Sequence, residues 1–388
     1  MKTLLVILDG AAEDCTTHHS ARSAFAKAKK PYMDMLASNS TCGIWSGPRA
    51  PNYNPRSMSS VATLEILGYS YSDEPGRGYL EALGMGLNPS KNSVYMRGNF
   101  AYVRNKKIID RRAGRDGKGL DSLVKDINKK IKSIDGVKVK LYRLVGHRVV
   151  LVLTGKSLSR YVSDGDVAKN PEKIKPLEAK AKKTSQILNK FLSESSEILS
   201  KHPVNKKRKV PANFILLRAA GSYQKVQSFK QKYGMKACSI SGVNIIRGVS
   251  RYVRIDIVDM PLTELEDDLD NRAKKSIDSL EKYDFVILHI NGADTYAHNR
   301  NFSGKVKYIE KIDREVFSHL IKLRHVTIAV ISDHITDSKT GEHVFGHVPF
   351  LIYVPEDNGD YQKTEFHEKA CNRFIIDNPM KKLLSVIS

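Results

Sequence analysis

Six side chains with metal-binding chemistry recur at one kind of place in this sequence, the edge of a short apolar run. "KTLLVILD" closes on Asp9; "YDFVILHI" runs into "NGADTYAH", which carries Asp294 and His298; "VTIAVIS" is followed by Asp333 and His334; and "GEHVFGHVPF" sets His343 just before another run. Mixed carboxylate and imidazole donors suit Mn²⁺, Mg²⁺ or Zn²⁺, and three of each suit two ions. Taken singly, every one of these residues has an ordinary alternative. A strand-terminal Asp is a good turn former or helix cap, Asp294 and His298 at i and i+4 share a helical face as many surface pairs do, and a lone His343 is more often structural. It is the conjunction that predicts a metal centre. Adjacent residues at a strand end point in different directions, so Asp333 and His334 reach one cation only if the strand gives way to a turn, which "ITD" permits.

The elements that must position these donors are strands. "KTLLVILD", "YDFVILHI", "VTIAVIS" and "PFLIYV" are almost wholly apolar, as strands covered by helices on both faces are. Their alternation with helix-like segments predicts an α/β fold with a mainly parallel sheet. In such sheets the crevice at the carboxyl ends of the strands receives the ligand. The first of these strands opens the sequence and the other three lie in its last third, so the N-terminal segment pairs into a sheet completed from the C-terminal side. Between them the texture changes: "SVYMRGNFAYV", "KIIDRRAGR" and "YRLVGHRVVLVLTG" read as shorter strands, followed by a lysine-rich helical stretch from Pro171 to Ser200. The expectation is a discontinuous core of 1–90 and 223–388 with a smaller α+β domain, 91–222, inserted. Two domains also fit 388 residues at about 150 residues each.

Composition excludes several classes. Hydrophobic residues are 41% and charged residues 27%, the balance of a folded globular protein. Asp9 interrupts the first apolar run, which lacks the length of an export signal, and no run approaches a membrane span. Four cysteines, Cys15, Cys42, Cys238 and Cys371, form no CxxC pair, which fits a reducing, cytoplasmic setting. The net charge of +22 favours anionic company without choosing among nucleic acid, acidic lipid and phosphorylated metabolites. "KKRK" at 206–209 reads as a solvated charge run in a loop, which makes nucleic acid an unlikely partner.

Further motifs carry a resemblance. "LDG", "SSVATLEILGY", "GRGYLEALGMG", "NFAYV", "DRRAGR", "GHRVVLVL", "VSDGD", "NFILLRAAG", "IIRGVSRY", "NGADTYAHNRNFSGKVKYIEKID" and "SDH…H…VPFLIY" together resemble the archaeal-type, cofactor-independent phosphoglycerate mutases of the alkaline phosphatase superfamily, in the family's order and over nearly the whole chain. The resemblance implies an alkaline-phosphatase-like fold and interconversion of 3-phosphoglycerate and 2-phosphoglycerate without bisphosphoglycerate, through a transiently phosphorylated serine. It implies two divalent ions, Mn²⁺ first, with Mg²⁺, Co²⁺ or Zn²⁺ as alternatives. One would be held by Asp9, Ser59, Asp333 and His334, the other by Asp294, His298 and His343. Ser59, the catalytic nucleophile, is selected by the resemblance alone. The inserted domain's Asp110, Arg111, Arg112, Arg115, His147, Arg148, Asp164 and Asp166, with Arg218 and Arg247, match substrate-binding positions. Arginine forks bind carboxylate and phosphate, although "DRRAGR" alone reads more readily as an exposed turn with local ion pairs. The chain departs from the family pattern at Ser60 and Asn299, where Asp is expected, at Thr63, where His is expected, and at Asn291, where Lys is expected. Those departures keep two alternatives in view: a phosphomonoesterase acting on another small phosphate, and a basic binding protein with a vestigial centre.

Overall fold

The first strand, β1 (Lys2–Leu8), is buried from Thr3 onward, which requires a neighbour on both edges and a layer on both faces. It has both. In the computed structural model, which describes residues 2–14, 23–48, 58–167, 169–263, 265–355, 361 and 363–387, the chain divides into two compact units, Met1–Glu74 with Val226–Ser388, and Pro75–Lys225.

In the first unit β1 pairs in parallel with β11 (Phe285–Ile290) and β12 (Val326–Ser332). The sheet continues beyond β11 through β9 (Ala237–Ser241) and β10 (Asp256–Val258), both parallel. On the other side β15 (Val348–Tyr353) and β2 (Thr41–Trp45) are antiparallel additions, and β16 (Ile375–Ile376) pairs in parallel with β2. "PFLIYV" is therefore a buried strand of reversed direction; periodicity reports burial, not polarity. One sheet face, with Leu4, Val6, Leu8, Val286, Leu288, Ile290, Ile328 and Val330, forms a core with Phe25, Met33, Leu269, Ile309, Ile312 and Phe317. A small hairpin of β13 (Ile335–Asp337) and β14 (Glu342–Val344) stands after β12.

The second unit is an antiparallel sheet. The long β3 (Ser93–Arg104) pairs with β4 (Lys107–Asp110), β7 (Arg148–Thr154) and β8 (Phe214–Ser222); β6 (Val137–Arg143) joins β7 to β5 (Ser133–Ile134). Helices Leu120–Lys130 and Lys182–Lys201 cover one face with Leu123, Ile127, Leu188 and Phe191 against Phe100, Leu141, Leu151 and Leu217. The lysines of β6, "VKVKLYR", alternate outward, as a half-buried strand requires. The helix Arg77–Gly84, placed by the sequence reading in the core, packs on β3 and β8. Its Gly78 fits so closely that a Cβ would lie 2.2 Å from the Tyr95 carbonyl oxygen. "KKRK" is only partly solvated: Arg208 donates to the carbonyls of Ala113 at 2.8 Å, Asp116 at 2.7 Å and Val210 at 3.1 Å.

Candidate metal centre

In the registers Leu8↔Ile290 and Leu8↔Ser332 three parallel strands end level, and the next residues of each carry the predicted donors. Asp9 N–H extends the ladder by donating to Ile290 O at 2.9 Å. Asp294 lies in the helix that follows β11, Gly292–His298, one turn from its end at His298. Strand β12 stops at Ser332, and Asp333 and His334 fall in the bend before β13, the turn that lets both reach inward. In the hairpin His343 stands opposite Thr336. All six predicted donors converge within the first unit, and Ser59 joins them from the start of the helix Met58–Ile66.

The distances define overlapping clusters. His334 Nε2 lies 3.1 Å from Asp9 Oδ1, 3.6 Å from Asp333 Oδ2 and 3.4 Å from Ser59 Oγ. Asp294 reaches His298 Nε2 at 3.4 Å through Oδ2 and His343 Nε2 at 3.4 Å through Oδ1, and the two imidazole Nε2 atoms are 3.1 Å apart. Among the described residues, Asp294 with His298 and His343, Asp9 with Asp294 and His334, and Asp9 with His289 and Asp333 each offer ligand atoms all within 4.8 Å of one another.

Supporting hydrogen bonds fix which nitrogens face inward. His298 Nδ1–H donates to Gly341 O at 2.7 Å, leaving Nε2 its lone pair. Thr336 Oγ1 donates to Asp294 Oδ1 at 2.7 Å and lies 3.2 Å from His334 Nδ1. Its single proton being committed to the carboxylate, the hydroxyl oxygen accepts from His334 Nδ1–H, so His334 Nε2 also presents a lone pair. Such outer contacts orient metal-binding imidazoles. Gly10 donates its N–H to Asp333 Oδ1 at 3.0 Å. With φ +57°, and with a Cβ there coming within 2.5 Å of Thr336 Oγ1 and 2.6 Å of Asp294 Oδ1, this position needs glycine. The wholly buried Lys305 ties the loop to the hairpin through Ala12 O at 3.0 Å and Thr336 O at 2.9 Å. Thr336, Lys305, Gly10 and His289 were not singled out from the sequence.

The donor set fits divalent cations. Burial pushes the Asp333 carboxyl above its ordinary range, against the opposing pull of His334 and the Gly10 N–H, and Asp333 Oδ2 is buried with no hydrogen-bond partner. Burial would raise Asp294 too, but the bond from His343 and the neighbouring histidines hold its carboxyl well below the usual range. Buried carboxylates facing imidazole lone pairs are the chemistry of a mixed-ligand transition-metal site. Three departures from the family pattern have structural employment: Thr63 Oγ1 donates to Ser59 O at 2.7 Å, Asn291 Nδ2 donates to Thr295 Oγ1 at 3.1 Å, and Asn299 ends the helix carrying His298.

The expected substrate residues fall in two places. Asp166 in the second unit pairs with Arg111, and with Arg218 Nη1 at 3.4 Å. Asp110 Oδ1 accepts the Arg112 N–H at 2.7 Å, and Asp164 Oδ1 accepts the Ala219 N–H at 2.7 Å, so both acids also shape the backbone. Arg115, at φ +58°, ends the short helix Ala113–Arg115 that follows, its N–H donating to Arg112 O at 2.8 Å. Burial, then the charges of Arg148 and Arg112, push the His147 imidazole down to about 3, which keeps it neutral. Arg97, not foreseen, sits on β3 opposite Arg218 on β8. Burial and then the charges of Arg77 and Arg218 lower it well below the arginine range, and Glu81, at 3.8 Å, opposes the shift. This concentration of guanidinium groups suits an anion. Arg247 lies in the first unit, where Nε donates to Ser241 O at 3.0 Å and Nη2 to Met260 O.

Known proteins share this arrangement of sequence and fold. Residues 37–205 match the family model described as 2,3-bisphosphoglycerate-independent phosphoglycerate mutase. A protein of that name from Methanocaldococcus jannaschii is 36% identical over 391 residues, covering 95% of this chain and 92% of the relative. Another from Picrophilus torridus is 36% identical over 363 residues, covering 90% and 88%. The solved cofactor-independent phosphoglycerate mutase from Thermoplasma acidophilum aligns over 100% of both chains, with TM-score 0.67 and 29% identity.

Proposed function

The chain belongs to the 2,3-bisphosphoglycerate-independent phosphoglycerate mutases, a family of isomerases, and from that premise we propose that Ser59 is the phosphoryl acceptor through which it interconverts 3-phosphoglycerate and 2-phosphoglycerate. The observation that supports this most directly is the gathering of six Asp and His donors into overlapping clusters, one member of which, His334 Nε2, lies 3.4 Å from the Ser59 hydroxyl. Divalent ions are the cofactors. Asp294, His298 and His343 would hold one, and Asp9, Ser59, Asp333 and His334 the other; bound cations would favour the ionised serine and neutralise charge on the phosphoryl oxygens. Mn²⁺ is our choice, because the donors mix imidazole with carboxylate. A cytoplasmic enzyme of central carbon metabolism is the corresponding setting, and among the described residues no helix is long and apolar enough to cross a membrane.

Ser59 Oγ attacks phosphorus, the bond from phosphorus to the first glycerate oxygen breaks, and the proton lost by the serine ends on that oxygen. The second glycerate hydroxyl then attacks the phosphoserine, the bond from phosphorus to Oγ breaks, and the proton lost by that hydroxyl ends on Oγ, restoring Ser59. Asp110 or Asp164 carries the hydroxyl proton in this reading. The arginines of the inserted unit, Arg111, Arg112, Arg115, Arg148 and Arg218 together with Arg97, grip the glycerate's anionic groups while it turns. His147, being neutral, offers hydrogen bonds and no charge. Escape of glycerate before recapture would convert the same chemistry into phosphatase action.

The metal-loaded protein should interconvert the two phosphoglycerates without added bisphosphoglycerate and lose that activity to a chelator. Ser59→Ala should lower turnover by about 10³-fold or more and yield no acid-stable phosphoprotein. Phosphate release without isomerisation would support the phosphomonoesterase instead, and undiminished turnover in Ser59→Ala would remove the nucleophile assignment.

A further inference from the structure

The centre has a sheet-side wall that neither proposed ligand set uses. Strand β11 reads "FVILHI", and its Val286, Leu288 and Ile290 belong to the core on one sheet face, so alternation turns His289 to the other. In the three-strand register Ile7, His289 and Ile331 form one row, two residues before Asp9 and Asp333 along the chain. The imidazole is 0% exposed, and neither ring nitrogen has a hydrogen-bond partner. Buried polar groups are ordinarily satisfied, and this one is aimed at carboxylates: Nε2 lies 3.5 Å from Asp9 Oδ2, and ligand atoms of Asp9, His289 and Asp333 all lie within 4.8 Å of one another. Asp9 therefore faces two imidazoles, His334 through Oδ1 and His289 through Oδ2.

We propose that His289 is a further nitrogen ligand of the cation held by Asp9 and Asp333, closing its coordination on the side of the sheet. This rests on the metal-centre reading above. An added imidazole biases that position toward Mn²⁺, Co²⁺ or Zn²⁺ and away from Mg²⁺, which prefers oxygen donors.

The test is titration of the metal-free protein with Co²⁺, followed by calorimetry and visible absorption, in wild type, His289→Leu and His289→Asn. Leucine fills the buried space without offering a donor. Wild type should take up two ions; in both variants one site should weaken by about 10- to 100-fold with a changed absorption band, while the other keeps its affinity. Folded variants with the wild-type isotherm and spectrum would overturn the assignment of His289 and leave the metal centre standing. Should His289→Leu fail to fold, His289→Asn decides by the same readouts. A wild-type protein that takes up no Co²⁺ overturns both readings.

Discussion

A single hydroxyl at Thr336 sets the lone pair of His334, because its proton goes to Asp294 and its oxygen is left to accept from the ring. Thr336→Val keeps the shape and removes both contacts. It should weaken divalent-cation binding by about 10- to 100-fold with little loss of stability in the metal-free protein, as read by calorimetric titration and chemical denaturation; unchanged affinity would refute this orienting role. The six candidate metal donors were legible in the sequence because, although a single Asp or His at the end of an apolar strand is ordinary, several such ends together are not. Ser59 was legible only by resemblance, since serines crowd "RSMSS" and nothing local ranks them. Thr336 and His289 were not legible: a threonine and a histidine inside strand-like runs acquire their roles from cross-strand neighbours, which spacing along the chain does not encode. Arg97 was hidden in the same way, its significance arising from Arg218 across the sheet.

Among the elements, the long apolar strands β1, β11 and β12 could be read directly, whereas β9, β10 and β16 are short and lack a pattern of their own. The reversal of β15 was invisible because burial on two faces produces the same residues in either direction. Helix ends add a pH-dependent feature. The helix Pro31–Ser38 has no capping side chain of its own, and Asp313 supplies one, accepting from Met33 N–H at 2.7 Å and Tyr32 N–H at 3.3 Å. Burial pushes this carboxyl up to about 6, against those two bonds. A folded-state value above the unfolded one means that the native protein binds the proton more tightly. The contribution is therefore full below about pH 4 and is lost as pH rises through about 6. Wild type should lose about 2 to 3 kcal/mol relative to Asp313→Asn between pH 4 and pH 7, measured as the difference in unfolding free energy in urea. A difference that does not vary with pH would refute the elevated carboxyl.

For the whole molecule, the charge is divided unevenly. The unit Pro75–Lys225 holds 34 Lys and Arg against 12 Asp and Glu, a net of +22, while the remainder holds 30 of each. Exposed lysines such as Lys138 and Lys140 raise the local concentration of a small polyanion, and salt screens that effect over a Debye length of about 8 Å at 0.15 M. We expect kcat/KM for phosphoglycerate to fall by about 10-fold between 20 and 200 mM KCl while kcat changes little; a flat kcat/KM would show that the excess charge serves another purpose. The placement of β1 between β11 and β12 has a different consequence, in time. During synthesis this oily strand emerges well ahead of its two partners, which follow roughly 280 and 320 residues later, a delay of roughly 15 to 65 s at ordinary ribosomal speeds. The inserted unit, contiguous in sequence, can fold on the nascent chain while the strand bearing Asp9 waits, exposed to chaperones and to other nascent chains.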